Sequence, residues 1–273
     1  MSGRVRRQQL AILSTLLFCM AKVPSHAATI TVTNANNSGP GSLRQALTIA
    51  NNGTTINFAV TGTITLTSGA LPINKNITIP GPGADQLSID GNQAITVFGV
   101  FNGNIATISG LTATNAQSGI LNDGMVAVTN SVLSGNLYHG LSNYGVAALS
   151  SCVLTDNSYD GLYSYNGVTN VSDCVITGNA RGGLFNTGNF GPNNSLAGFR
   201  TMTVLDSIIS NNSGPGVWNY FGLTIVNPSF TRPPYHDQRG ACFYRVFGRR
   251  IDVGSVEAQP SPRCVTPAPR PNP

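Results

Sequence analysis

Charged side chains are scarce, since Asp, Glu, Lys and Arg together make up 9% of the 273 residues. Glutamate occurs once, at Glu257, so nearly all of the 10 acidic residues are aspartates. Histidine occurs only three times, at widely separated positions. A dense carboxylate cluster and a histidine-rich metal motif both need more ligands than this. We therefore expect no metal site and no cofactor.

Long apolar stretches are also missing, apart from one near the start. There, about a dozen mostly apolar residues follow three arginines and end near Ala21. This run is too short to span a bilayer, and small residues follow it up to Ala27 and Ala28. The pattern predicts a secretory signal peptide over residues 1–27, exported by the general route or, given Arg6-Arg7, by the twin-arginine route. We expect a protein that is secreted, held at the cell surface or kept in the periplasm, with no transmembrane anchor.

The excess of basic residues almost disappears without residues 1–27, because four of the 15 lie there. Such a balance argues against nucleic-acid binding. The remaining basic residues concentrate in 231–273, as a solvated tail or as a polyanion-binding patch. We expect a monomer.

Gly, Asn, Ser, Thr and Val are abundant and fall into repeats. One asparagine recurs at the same position of each repeat, with spacings of 21, 21, 22 and 33 residues: Asn115, Asn136, Asn157, Asn179 and Asn212. A glycine series from Gly119 to Gly216 repeats these spacings. A repeat this short cannot bury its own apolar face, so each is predicted to be one coil of an all-β, single-stranded parallel β-helix. The asparagines would then hydrogen-bond from coil to coil, and the glycines would allow tight turns or close backbone approach.

Residues 28–230 hold this solenoid, with a short helix near 42–50 that covers its open end. Ser42 and Gln45 have the spacing of a capping box, and Leu43, Ala46 and Leu47 share one helical face.

Two segments resemble exported bacterial β-helix proteins. The segment GSLRQA, at 41–46, is similar to the CSLREA segment of such proteins. The closing motif of the choice-of-anchor Q domain is matched by Asp237, Gln238, Arg239, Gly240, Arg245, Asp252, Gly254 and Glu257. The resemblance implies a right-handed, pectate-lyase-like β-helix, exported and often surface-associated, without implying an activity. It places a closing motif at 231–258, and the proline content of 259–273 indicates a disordered tail.

Aromatic and polar residues concentrate in two consecutive repeats, and stacking of the coils would bring them together. This candidate ligand strip consists of Tyr138, His139, Tyr144, Tyr159, Asp160, Tyr163 and Tyr165. Tyrosine rings can stack on sugar rings, although packing within the sheet alone would account for them.

Three functions follow from these observations. The main hypothesis is a non-enzymatic exported scaffold that acts in surface attachment or binds glycans. The alternatives are a polysaccharide lyase or glycoside hydrolase on the same fold, and a passive structural protein of the cell surface. Catalysis would need two carboxylates, or a carboxylate and a base, on one face. Asp156 and Asp160 share a repeat and Asp173 and Asp206 hold matching positions, but turns explain these aspartates more simply, and we assign no catalytic residue.

Cys152 and Cys174 occupy the same position in consecutive repeats. They form either a disulfide or a stack of buried thiols. Cys242 and Cys264, near the C terminus, are a second candidate pair in an oxidising compartment.

Overall fold

The computed structural model describes residues 28–189 and 200–231, and the backbone of two short antiparallel strands, β25 (Val246–Phe247) and β26 (Arg250–Ile251). The predicted signal peptide over 1–27, nearly all of the closing motif over 231–258 and the tail over 259–273 lie outside the described residues. Cys242 and Cys264 lie outside them too.

The chain winds into an all-β, right-handed parallel solenoid of about nine turns, which confirms the predicted fold class. Three parallel sheets run along it, and a typical coil contributes one strand to each. Sheet 1 has nine strands: β1 (Thr29–Val32), β2 (Thr54–Phe58), β5 (Ile77–Pro80), β8 (Ile105–Ser109), β11 (Met125–Thr129), β14 (Val146–Ser150), β17 (Val168–Ser172), β20 (Thr201–Leu205) and β23 (Gly222–Val226). Sheet 2 has eight strands: β3 (Gly62–Thr65), β6 (Leu87–Asp90), β9 (Thr112–Thr114), β12 (Val132–Ser134), β15 (Val153–Thr155), β18 (Val175–Thr177), β21 (Ile208–Ser210) and β24 (Ser229–Thr231). Sheet 3 has seven strands: β4 (Leu71–Ile73), β7 (Phe98–Val100), β10 (Ile120–Asn122), β13 (Leu141–Asn143), β16 (Asp160–Tyr165), β19 (Gly182–Thr187) and β22 (Val217–Asn219).

The interior of the solenoid is apolar because alternate residues of each strand point inward. In sheet 2 the middle residue of the three-residue strands is buried, and these residues stack coil upon coil: Leu133, Leu154, Ile176 and Ile209. Burying one Leu or Ile side chain contributes about 1.5–3 kcal/mol. Since the core extends from Val32 to Val217, no coil is stable without its neighbours.

A ladder of buried asparagines lines the bend between sheets 2 and 3. Nδ2 of Asn136 donates to Oδ1 of Asn157 at 2.8 Å, and Asn157 and Asn179 donate in the same way to Asn179 and Asn212 at 2.9 Å. Each accepting Oδ1 also receives the backbone N–H of the donor residue. The ladder thus satisfies amide groups that would be costly to bury unpaired.

Asn115, which the sequence spacing makes the first member of this ladder, lies one residue out of register. Thr114 pairs with Ser134, so Asn115 is level with Gly135, and both have a left-handed backbone (φ 49° and 62°). Ala116 occupies the ladder position, and its N–H donates to Oδ1 of Asn136, 20 residues further on. The bend of this coil is one residue shorter, so a spacing of 21 connects a turn residue to a ladder residue.

The predicted glycine series packs closely where the backbone enters sheet 3. A Cβ on Gly140 would lie 2.7 Å from the carbonyl oxygen of Gly161, and a Cβ on Gly183 would lie 2.4 Å from that of Gly216. No side chain fits at these distances, so the position requires glycine because of the close approach. The backbones of consecutive coils therefore lie close together at these glycines, next to the residues that precede them.

A short helix, α1 (Leu43–Ile49), lies against β1, β2 and β4 of the first coils. The Ser42 side chain accepts the N–H of Gln45, and the Gln45 side chain accepts the N–H of Gly41. Leu43, Ala46 and Leu47 are buried against the core. Ser42 therefore begins the helix, and its apolar face covers the end of the core.

Cys152 and Cys174 are both free and buried. The N–H of Cys152 donates to Sγ of Cys174 at 3.4 Å, and the N–H of Cys174 donates to Oγ of Ser207 at 3.1 Å. The thiols thus accept the coil-to-coil hydrogen bond that a serine hydroxyl accepts in the next coil. Of the two alternatives, the structure has the stack of buried thiols.

Within the described residues, no helix has the length and apolar content needed to cross a bilayer.

Candidate functional site

The candidate site lies on the outer face of sheet 3, where residues at matching positions form columns along the solenoid. One column follows the pairing of Ser142, Tyr163, Phe185 and Trp218 in β13, β16, β19 and β22. A second column lies two residues further along the strands and contains Tyr165, which pairs with Thr187. Neighbouring strands are about 4.8 Å apart, so large side chains in one column contact each other.

The structure brings all seven residues of the predicted strip together. Tyr138 contacts Tyr159 with ring centroids 5.4 Å apart, and the His139 ring stacks on Tyr163 at 4.8 Å. Tyr144 continues the contacts to Tyr163 and Tyr165, at 6.3 and 5.9 Å. Tyr138, Tyr144 and Tyr159 are each more than 40% exposed, so the rings form an open surface.

Four further residues belong to this surface but were not identified from the sequence. Phe185 contacts Tyr163 at 5.6 Å, and Trp218 and Tyr220 extend the row at 5.4 and 5.9 Å from Phe185. Arg181 places its guanidinium 4.6 Å from the centroid of the Phe185 ring. The spacing within the repeat could have identified two of them. Phe185 and Trp218 each follow a glycine of the predicted glycine series by two residues, as Tyr163 does. Together, the predicted strip and these four residues are called the aromatic strip below.

Asp160 is the buried charged centre of the aromatic strip. Its Oδ2 lies 3.3 Å from Nη1 of Arg181 and 3.5 Å from Nδ1 of His139. The backbone N–H of Asp160 also donates to Nδ1 of His139 at 3.3 Å. An accepting Nδ1 carries no proton in the neutral imidazole, so the proton sits on Nε2. The Asp160 side chain is 4% exposed, whereas the Arg181 side chain is 41% exposed.

Burial displaces the pKa values of both partners. It raises the pKa of Asp160 to about 6, against the opposing effect of the Arg181 charge. It lowers the pKa of His139 to about 4, and the Arg181 charge acts in the same direction. Burial also raises the pKa of Tyr163 and Tyr144. The aromatic strip therefore contains titratable groups that lie close together and are partly shielded from water.

The other candidate aspartates occupy turns. Asp156, Asp173 and Asp206 all have a left-handed backbone, with φ of 56°, 52° and 45°. Aspartate tolerates this conformation well, so the turn role expected of them is confirmed. Across residues 28–189 and 200–231, no three His, Cys, Asp or Glu side chains are placed to share a metal ion.

The sequence matches no protein-family model and no curated protein. Its fold, however, is shared with solved structures. Pectate lyase Pel9A matches with a TM-score of 0.52 and 17% identity, over 68% of this chain and 54% of that one. ORF18 of Geobacillus virus E2 matches with a TM-score of 0.59 and 15% identity, over 82% of this chain and 50% of that one. The catalytic unit of a GH87 α-1,3-glucanase from Streptomyces thermodiastaticus gives a TM-score of 0.45 and 17% identity, over 78% of this chain and 48% of that one.

The similarities to Pel9A and ORF18 show that the chain shares the right-handed parallel β-helix fold. The chain spans about half the length of the solved chains it matches.

Proposed function

We propose that this protein is an exported β-helix scaffold that binds polysaccharide along the aromatic strip of sheet 3. The observation that supports this function is the unbroken row of ring contacts from Tyr138 to Tyr220, on a face of the solenoid that is open to solvent. Export and surface association rest on the signal-peptide pattern and on the family resemblance of the sequence.

The dimensions of the strip suit an extended sugar chain. The rings occupy four consecutive coils, and three intervals of about 4.8 Å give a platform about 14 Å long. One coil is close to the length of one sugar unit, so a chain lying along the solenoid axis would place successive sugars over successive rings. Aromatic rings with a polar edge offer both a flat apolar face and hydrogen bonds, and sugar rings present the same combination.

Binding accounts for the site better than hydrolysis does. A glycosidase places two carboxyl groups on either side of the scissile bond. The strip itself contains one carboxyl group, Asp160, whose side chain lies beneath Arg181 and His139, and the exposed Asp123 beside Tyr144 lies two coils away. A buried group in this position holds its neighbours in place, while the exposed rings meet the ligand.

A polysaccharide lyase is the second candidate. It is supported by the fold shared with pectate lyase Pel9A and by the proximity of a cation, Arg181, to the titratable pair Asp160 and His139. A lyase needs a base near the sugar carbon that loses its proton, and His139 would be the first residue to substitute if cleavage occurred.

The experiment that separates these functions incubates the purified chain with insoluble polysaccharides, with and without calcium. Both retention of the protein and the formation of new chain ends are scored. We expect retention without new chain ends. New chain ends that disappear in His139→Ala would overturn the binding function in favour of the lyase.

Substitution of single aromatic rings tests the proposed binding surface directly. We expect Tyr159→Ala and Trp218→Ala each to weaken retention about fivefold, because stacking on one ring is worth about 1 kcal/mol. Ile208→Ala is the matched control, since Ile208 is 45% exposed on β21 of sheet 2, away from the strip. Retention that survives both ring substitutions would place the binding surface elsewhere.

A further inference from the structure

We infer that the aromatic strip recognises an acidic glycan, and that Arg181 is the residue that binds the carboxylate or sulfate of one of its sugars. This inference rests on the proposed function and adds the charge of the ligand. It depends on how Arg181 is held, on which other charges face the strip and on where they lie.

Arg181 is fixed in place while most of its hydrogen-bonding capacity is free. Nη1 donates to Oδ2 of Asp160 at 3.3 Å, and the guanidinium stacks 4.6 Å from the Phe185 ring centroid. Within the described residues, Asp160 is the only hydrogen-bond partner of this guanidinium. A guanidinium has five N–H donors in a planar fork, so several remain for a ligand anion. A fixed and partly exposed arginine is suited to paired hydrogen bonds with a carboxylate or sulfate.

The acidic partner of Arg181 does not compete for the same ligand. The Asp160 side chain is 4% exposed, and burial raises its pKa to about 6, so its negative charge is withdrawn from the surface. His139, Tyr159 and Tyr163 are the other titratable groups around it, and His139 adds no negative charge in either protonation state. A ligand on the strip therefore meets the cation of the Asp160–Arg181 pair.

The other basic residues in the described part of the chain make contacts of their own. Arg44 donates to the carbonyls of Gly69 and Ala70, and Lys75 donates to the carbonyl of Thr48 near the end of α1. Arg200 stacks on Phe221, the residue after Tyr220, but it is half-buried with its Nη1 inaccessible to solvent, whereas Arg181 is exposed. Arg181 is thus the cation that the aromatic strip itself presents.

One exposed carboxylate makes the charge at the two ends of the strip different. Asp123 follows β10 and lies close enough to Tyr144 to help raise the pKa of that tyrosine. It sits three coils before Arg181, about 14 Å along the axis. An acidic ligand is attracted at the Arg181 end and repelled at the Asp123 end, so its charged sugars are expected over Arg181, Phe185 and Trp218.

The test compares each acidic polymer with a neutral derivative of the same backbone. Binding of the purified full chain is measured by titration with polygalacturonate and its fully methyl-esterified form, and with alginate and its carboxyl-reduced form. We expect at least one acidic polymer to bind about tenfold more tightly than its neutral counterpart, because only the acidic form can make charge-assisted hydrogen bonds with Arg181. Arg181→Met keeps the apolar stem on Phe185 and should abolish this preference, whereas Asp123→Asn should increase it.

Two additional measurements separate recognition from damage to the fold. Arg181→Met leaves Asp160 buried without its partner, so the double variant Asp160→Asn, Arg181→Met is measured beside it, and thermal unfolding verifies that both are folded. The preference should weaken with added salt in the parent chain only. Equal binding of charged and neutral forms, or a preference that persists in both variants, overturns the acidic-glycan inference and leaves glycan binding intact. Absence of binding to all four polymers overturns the inference and contradicts the proposed function as well.

Discussion

Asp160 and His139 have pKa values that burial displaces in opposite directions, and this determines how the fold responds to pH. Asp160 has its pKa raised from 3.8 to about 6, so its contribution to stability is full below pH 3.8 and is lost as the pH rises through 6. His139 has its pKa lowered from 6.5 to about 4, so its contribution is full above pH 6.5 and is lost as the pH falls through 4. Each shift corresponds to about 3 kcal/mol. Between pH 4 and 6 the pair holds one proton in both the folded and the unfolded chain, so the two effects cancel.

Substituting one partner should therefore reveal the other. In Asp160→Asn, the free energy of unfolding should fall by about 3 kcal/mol as the pH drops from 6.5 to 4, because His139 alone resists protonation. In His139→Gln it should fall by about 3 kcal/mol as the pH rises from 4 to 6, because Asp160 alone resists ionisation. Urea denaturation across this pH range is the measurement. Asp156→Asn, at an exposed turn of the same coil, is the control and should keep the flat profile of the parent chain.

The asparagine ladder joins the strands of successive coils at the bend between sheets 2 and 3. Asn157 accepts two hydrogen bonds from Asn136 and donates to Leu133 and Asn179. All four asparagines of the ladder are buried, three of them completely. A single residue of this kind can therefore affect two coils at once.

We expect Asn157→Ala to lower the free energy of unfolding by about 3 kcal/mol or more, because it leaves polar groups of Asn136 and Leu133 buried without partners. Asn102→Ala, at an exposed turn, should change it by less than about 0.5 kcal/mol. Urea denaturation of both variants at pH 7 measures the difference. Similar values for the two variants would mean that the ladder contributes little.

The sequence predicted the parallel β-helix and most of its bends well, because each repeat carries the same pattern of residues. It failed at Asn115, since one residue fewer in that bend changes the register, and residue spacing alone does not show on which side of the bend the residue is missing. The aromatic contacts were predictable for Tyr138 to Tyr165, where two neighbouring repeats both carry tyrosines. Trp218 and Tyr220 were missed because the insertion before Arg200 separates them from Phe185 in sequence. Arg181 and Phe185 were missed because they are level with Tyr159 and Tyr163 of the previous coil without sharing their residue type.

The whole solenoid derives its stability from contacts between adjacent coils, so its ends differ from its middle. β14 pairs with strands on both sides, whereas β23 pairs with β20 alone in the described part of the chain. The side chains of β23 are also less buried than those of β20.

Hydrogen exchange should reflect this difference. We expect the amides of 222–226 to exchange at least about tenfold faster than those of 146–150, which corresponds to about 1.4 kcal/mol less free energy for local opening. Peptide-resolved mass spectrometry after exchange in heavy water is the measurement. Equal protection would mean that a segment outside the described residues pairs with β23.

The helix α1 also bears on how copies of this protein could associate. All three large sheets are parallel, so the two ends of the solenoid are different, and copies stacked end to end would have to add head to tail. Such heterologous stacking does not close on itself and would grow into a filament. Leu43, Ala46 and Leu47 fill the first end of the core, so a second copy arriving there meets a helix instead of an open apolar interior. The seven-residue helix thus covers the end of the core at which head-to-tail stacking would take place.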